Sequence, residues 1–154
     1  MNLVHMTAAA VLLLQPAAPA PQTATPSTAR QAAAAKPADV GVTVTYKGQG
    51  TVDPAHKVIV FAFADSNITS DSRPLDTQFA TKNGETVTFK NLSAPVFVFA
   101  VYDEKGTYDG LSGPPPAGTP SAIYRKQPKG TPTVVAPGAA AVKFAFDDSE
   151  RWSK

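Results

Sequence analysis

Two stretches of this chain are apolar on both faces: "KVIVFAFA" (57–64) and "PVFVFAVY" (95–102). Successive side chains of a strand point to opposite faces. An antiparallel strand in a small domain usually shows water one polar face, and neither of these does. A sheet built on them therefore needs a cover on each side. The larger residues, Ile59, Phe61, Phe63, Phe97, Phe99 and Val101, read as the side facing the core. The smaller set, Val58, Val60, Ala62, Val98 and Ala100, then forms the outer face of two adjacent central strands. Left bare, that face would be sticky. The expected covers are the proline-rich run 113–120, the 65–75 loop, or a second copy of the chain.

The remaining strand signals are of the ordinary half-buried kind. "VGVTVTYK" puts Val42, Val44 and Tyr46 on one face and Thr43, Thr45 and Lys47 on the other. "DTQFATKNGETVTFK" reads as a hairpin, with Asn83-Gly84 as a tight type I′ turn. "SAIYRK" reads as a short edge strand, and "AAVKFAFD" closes the domain with Val142, Phe144 and Phe146 on one face. Val87 and Phe89 complete the expected core. About seven short strands, turn signals between them and no helical period predict an all-β fold, an antiparallel Greek-key β-sandwich.

The sandwich is expected over 40–154. Ahead of it, "MNLVHMTAAAVLLLQPAAPA" (1–20) has an apolar run followed by small residues, the layout of a signal peptide. Residues 21–39 are Ala, Pro, Thr, Gln and Ser with almost no large apolar residue, the composition of a disordered linker. The apolar run is far short of the ~20 residues of a membrane span, so no transmembrane segment is expected and the location reads as secreted or periplasmic.

"RPLDTQFATKNGETVTFKNLSAPVFVFAVYDEKG" resembles the prealbumin-like sandwich modules, such as the carboxypeptidase regulatory-like (transthyretin-like) domains. Those modules share a "TDxxGxFxFxxL" hairpin, and Thr81, Gly84, Val87, Phe89 and Leu92 fall on that pattern. Lys82 stands where the modules carry Asp, and Ser93-Ala94-Pro95 replaces their "PPG" corner. The chain is also similar to small secreted bacterial proteins of unassigned function with an acidic "YDExG" loop. The resemblance implies a prealbumin-like fold and an accessory, non-catalytic domain. It carries no active site with it.

The residues themselves exclude much chemistry. There is no cysteine, so disulfides, thiolate metal sites and thiol catalysis are absent. A net charge of +2 with lysines spread singly gives no footprint for nucleic acid. Ser112 lies in "GLSG", not in a G-x-S-x-G elbow, and His56 after Asp53-Pro54 reads as a turn residue. Asp103 and Asp109 in "YDEKGTYDG" and Asp147 and Asp148 in "FDDSERW" offer hard oxygen ligands. If the two segments meet, they could hold calcium; acids at a strand end could equally pair with nearby Arg151. Trp152, Tyr108 and Tyr124 could stack sugars, or Trp152 could cap the sandwich. The resulting expectation is a non-catalytic binding or assembly module for an envelope protein or a polysaccharide, with a homodimer as one arrangement. No catalytic residue and no cofactor other than calcium is assigned. The alternatives are a calcium-dependent carbohydrate-binding module and a small carboxylate-based hydrolase.

Overall fold

A computed structural model describes residues 36–153. The expected signal segment (1–20), and the linker as far as residue 35, lie outside the described residues. The strands are β1 (Ala38–Tyr46), β2 (Val58–Phe63), β3 (Asp76–Ala80), β4 (Thr86–Leu92), β5 (Val96–Tyr102), β6 (Ser121–Ile123), β7 (Val134–Val135) and β8 (Val142–Phe146). Among the described residues there is no helix, and so none long and apolar enough to cross a membrane. β1 opens two residues before the expected boundary at Val40, and the two-residue β7 was not foreseen.

The strands form two sheets in a sandwich-like arrangement. One has the order β4-β1-β8, the other β3-β2-β5-β6, with β7 also on the free side of β5. In the first sheet β1 is antiparallel to β4, with Val42 opposite Val87, but parallel to β8, with Val44 opposite Phe144. Its outer side is wet: Thr43 and Thr86 hydrogen-bond there through their hydroxyls at 2.7 Å.

The expected 76–90 hairpin does not form. β3 pairs with β2 and β4 pairs with β1, so residues 81–85 cross from one sheet to the other. Of Asn83-Gly84, only Gly84 takes a positive φ (78°). Asn83 instead clamps the end of β1: its Oδ1 accepts from Tyr46 N at 2.8 Å, and its Nδ2 donates to Tyr46 O at 2.8 Å. Glu85 Oε2 accepts from the Thr81 and Lys82 amides, closing the crossing on itself. An Asn-Gly pair signals a turn whether its strands rejoin one sheet or part.

The two faces of β2 and β5 are also assigned the other way round. Val58, Val60, Ala62, Val98 and Ala100 are not the outer face; they are buried between the sheets, with Phe89, Phe144, Phe146 and Tyr46 of the first sheet. Ile59, Phe61, Phe63, Phe99 and Val101 point outward, where Tyr108 and Trp152 join them in a second apolar cluster. The reason is volume. Packed sheets lie about 10 Å apart, and a full layer sets large residues against small ones. The first sheet already supplies four aromatic rings to that gap. The second sheet answers with Val and Ala along β2 and β5, and with one large ring at the end of β5, Tyr102, stacked on Tyr46 with ring centroids 4.0 Å apart; its own phenylalanines face away.

Candidate functional site

The outward phenylalanines need a roof, and three segments build it. After β5 the chain turns at Asp103, whose buried carboxylate (3% exposed) accepts from Thr107 N at 3.2 Å and Tyr108 N at 3.1 Å. That turn lays Tyr108 onto the sheet. Gly110 must follow it closely: a Cβ there would stand 2.7 Å from Ile59 Cγ2, and its φ is +73°. Tyr108 donates its hydroxyl to Gly113 O at 2.8 Å, and burial pushes that phenol up to about 12. The second segment is the C-terminus. Residues 150–152 pair with 118–121: Trp152 N donates to Thr119 O at 2.8 Å, Gly118 N to Trp152 O at 2.7 Å, and Ser121 N to Glu150 O at 3.0 Å. This sets Trp152 edge-on to Phe99, ring centroids 5.7 Å apart. The third segment is the 65–75 loop, whose Ile68 packs on the same cluster.

The roof leaves a pocket of about 170 Å³, walled by Phe61, Phe63, Phe99, Tyr108, Pro114 and Trp152, with Arg73 and Leu111 also lining it. A dry cavity of roughly 150 Å³ holds one benzene-sized group. Trp152 is 7% exposed, and its Nε1–H has no hydrogen-bond acceptor among the described residues. Leu111 is 73% exposed. Arg73 is exposed and has no ion-pair partner among the described residues. The sequence singled out neither Arg73 nor Leu111, because their place depends on loop paths that no periodicity records. The one available signal was a single tryptophan beyond the last strand.

The four carboxylates proposed for calcium do not form a cluster. Among the described residues no group of three or more His, Cys, Asp or Glu side chains could hold a metal. Asp103 is committed to its turn. Asp109 accepts from Leu111 N at 2.8 Å, Ser112 N at 2.9 Å and the Ser112 hydroxyl, and these bonds, the hydroxyl first, hold it at about 2. Asp147 accepts from Ser149 N at 2.9 Å. Asp148 accepts from the Tyr46 hydroxyl and from Gln49 N at 2.8 Å. The two acidic segments do meet, but on a guanidinium. Arg151 lies 3.1 Å from Glu104 and 3.8 Å from Asp148, and it donates to Gly118 O at 2.6 Å. Arg151 thus bridges Glu104 of the first segment and Asp148 of the second.

The remaining candidates also separate. His56 Nδ1 is 3.2 Å from Asp53 Oδ1, and that carboxylate accepts from the Ala55 and His56 amides in an Asp-Pro turn. The Ser112 hydroxyl donates to Asp109, and the side-chain partner of His56 is Asp53, not Ser112. Of the three rings considered for sugar stacking, Tyr108 and Trp152 sit in the outer cluster, while Tyr124 packs against Phe144 between the sheets. No protein-family model, curated protein or solved structure matches this chain.

Proposed function

We propose that this protein is a non-catalytic binding module, and that its pocket receives one apolar side chain from an extended segment of an envelope protein. The observation that carries the reading is the buried indole Nε1–H of Trp152, which has no acceptor among the described residues, although Thr69, Ser70, Ser72 and Thr77 also line the pocket. A buried donor without a partner costs about 1–3 kcal/mol, and a backbone carbonyl beside an inserted side chain would relieve it. Arg73, exposed at the pocket without a carboxylate partner among the described residues, suits an acidic group next to that side chain. Leu111 adds apolar contact at the surface. A sugar is a poorer occupant, because stacking uses open ring faces, and Tyr108 and Trp152 are both more than nine-tenths buried.

The same reading takes the domain as a prealbumin-like Greek-key sandwich of the secreted or periplasmic kind. Support for the topology is that β2 and β3 form a hairpin in one sheet, β4 returns to β1 in the other, and β5 comes back beside β2.

The chain has one tryptophan, so its ¹H–¹⁵N spectrum has one indole cross-peak. N-acetyl-phenylalanine, which joins a ring to a carboxylate, is expected to move that peak with a Kd of about 1 mM, a fragment-sized free energy of roughly −4 kcal/mol. The amide-capped analogue and the Arg73→Ala variant are each expected to bind more weakly. N-acetylglucosamine and cello-oligosaccharides are expected to leave the peak in place. An indole peak that ignores the amino acid but follows a sugar would replace this reading with the carbohydrate one.

A further inference from the structure

A second feature lies away from the aromatic pocket, where β8 ends the first sheet. β8 pairs with β1 on one side and, among the described residues, with no strand on the other. Phe146 O accepts from Lys47 N at 2.8 Å, so residue 146 points its backbone groups toward β1. By the alternation of a strand, Phe144 does the same, and Lys143 and Ala145 point their N–H and C=O groups outward. Ala145 is small and exposed, and nothing bulky on it blocks an approaching chain.

Along this edge runs a groove of about 560 Å³, bounded across from β8 by Ala122 to Arg125. Five cations line it, Lys47, Arg125, Lys126, Lys129 and Lys143, against two carboxylates, Asp147 and Glu150. The excess of positive charge in this one groove exceeds the net +2 of the whole chain. Glu150 is taken up by Arg125 at 3.0 Å, while none of the four lysines has an ion-pair partner among the described residues.

A lysine on an edge strand is a common guard against unwanted pairing, and Lys143 alone would need no other account. Lys47, Lys126 and Lys129 are not edge residues, so guarding does not explain them. Lys129 takes φ 65° as the third residue of the turn 127–130, which Pro128 preforms and the Gly130 N to Gln127 O hydrogen bond closes at 3.0 Å.

We propose that the open edge of β8 is a strand-addition site for an extended acidic peptide segment of a partner protein. Its backbone would pair with the Lys143 and Ala145 amides and carbonyls, as in other recognition by added strands. Acidic side chains on one face of that strand recur about every 7 Å and would meet the lysines. A polyanionic sugar could satisfy the charges, but it has no backbone to match a strand edge, so the peptide is the occupant chosen. This site is independent of the pocket around Trp152.

The test uses an acetylated octapeptide alternating threonine and glutamate, titrated into the full chain at low salt and followed by amide spectra and hydrogen exchange. Binding is expected to protect the Lys143 and Ala145 amides from exchange. The double variant Lys126→Glu, Lys129→Glu, at two exposed loop positions, is expected to weaken it at least tenfold. Proline in place of each threonine keeps every glutamate but removes every second N–H and fixes φ near −65°, away from the strand value, and is expected to weaken binding at least tenfold as well. The proposal is overturned if the octapeptide does not bind, or if the proline peptide binds equally well. It is also overturned if polygalacturonate binds the same lysines as tightly without protecting those two amides, because the groove would then be a simple anion site.

Discussion

Val98 and Phe99 are neighbours in β5 that point into different layers, and truncating each weighs the two layers separately. Val98 is fully buried between the sheets; Phe99 is 6% exposed under the roof, against Phe61, Phe63 and Trp152. Val98→Ala removes two carbons, worth about 1.6 kcal/mol at roughly 0.8 per buried CH₂, with a further cavity term. Phe99→Ala would cost about 3–5 kcal/mol in a closed core. The existing pocket lets the site relax, so the low end, about 3 kcal/mol, is expected. With a urea m-value of about 1.5 kcal/mol per molar, the midpoints should fall by roughly 2 M for Phe99→Ala and 1 M for Val98→Ala. Unfolding is followed by Trp152 fluorescence, which reports the roof, and by far-ultraviolet circular dichroism, which reports the sheets. A Phe99→Ala loss under about 1 kcal/mol would refute the claim that the outer phenylalanines form a second buried cluster that contributes to stability. So would a fluorescence transition that precedes the dichroism transition in the parent, because a roof that melts first is not part of one cooperative unit.

Asn83→Ala removes both bonds that clamp Tyr46, and a loss of about 1–2 kcal/mol is expected by urea unfolding; Asn83→Asp, which keeps only the acceptor for Tyr46 N, should lose less, and equal stability of all three proteins would dismiss the clamp. The Tyr46–Asp148 pair should shape the pH dependence at both ends. The hydrogen bond from Tyr46, then that from Gln49 N, holds the Asp148 carboxyl below its usual 3.8, so its stabilisation is present above pH 3.8 and is lost as pH falls through the folded value. Burial, then Asp148, pushes the Tyr46 phenol above 10, so its contribution is present below pH 10 and is lost as pH rises through the folded value. Tyr46→Phe should therefore differ most from the parent between those limits, and a stability difference that is constant from pH 3 to 11 would contradict the pairing. Because Arg151 stands between the acidic segments, thermal unfolding in calcium and in chelator is expected to coincide; a rise of several degrees in calcium would show a cation site that these contacts do not provide.

Strand positions were legible where burial is one-sided. The alternation of Val40, Val42, Val44 and Tyr46, and of Phe144 and Phe146, records a single boundary between water and core, and the strands lie there. Alternation says less in β2 and β5, because both faces are apolar and the pattern cannot name the inner one. Size misleads in that case: apart from Tyr102, the inward residues of β2 and β5 are small because Tyr46, Phe89, Phe144 and Phe146 already occupy the gap, and that fact belongs to a different sheet. The 76–90 segment misleads for a related reason. Its turn chemistry is local, but whether β3 and β4 rejoin is decided by vacancies beside β2 and β1. Arg151 beside Asp148 was legible from their closeness in sequence, but its contact with Glu104 was not, because the two lie 47 residues apart in the chain.

The order of layers explains why the pocket lies under the roof and not between the sheets. Between the sheets, two regular surfaces with registered side chains can be matched residue by residue, and Val40, Val42, Val60 and Val98 are all fully buried. The roof is irregular. It is held by single anchors: the Asp103 turn, the Tyr108 hydroxyl on Gly113, and the short pairing of 118–121 with 150–152. Anchors fix where a loop touches the sheet, but they do not fill the space between contacts. Pro114 and Pro115 stiffen the span and limit how far it can sag onto Phe63 and Phe99. A ring-sized gap with one unanswered donor is what such a roof leaves behind. It can vary with loop sequence while the sandwich beneath it stays the same, and binding function on a rigid scaffold is usually placed in loops of this kind.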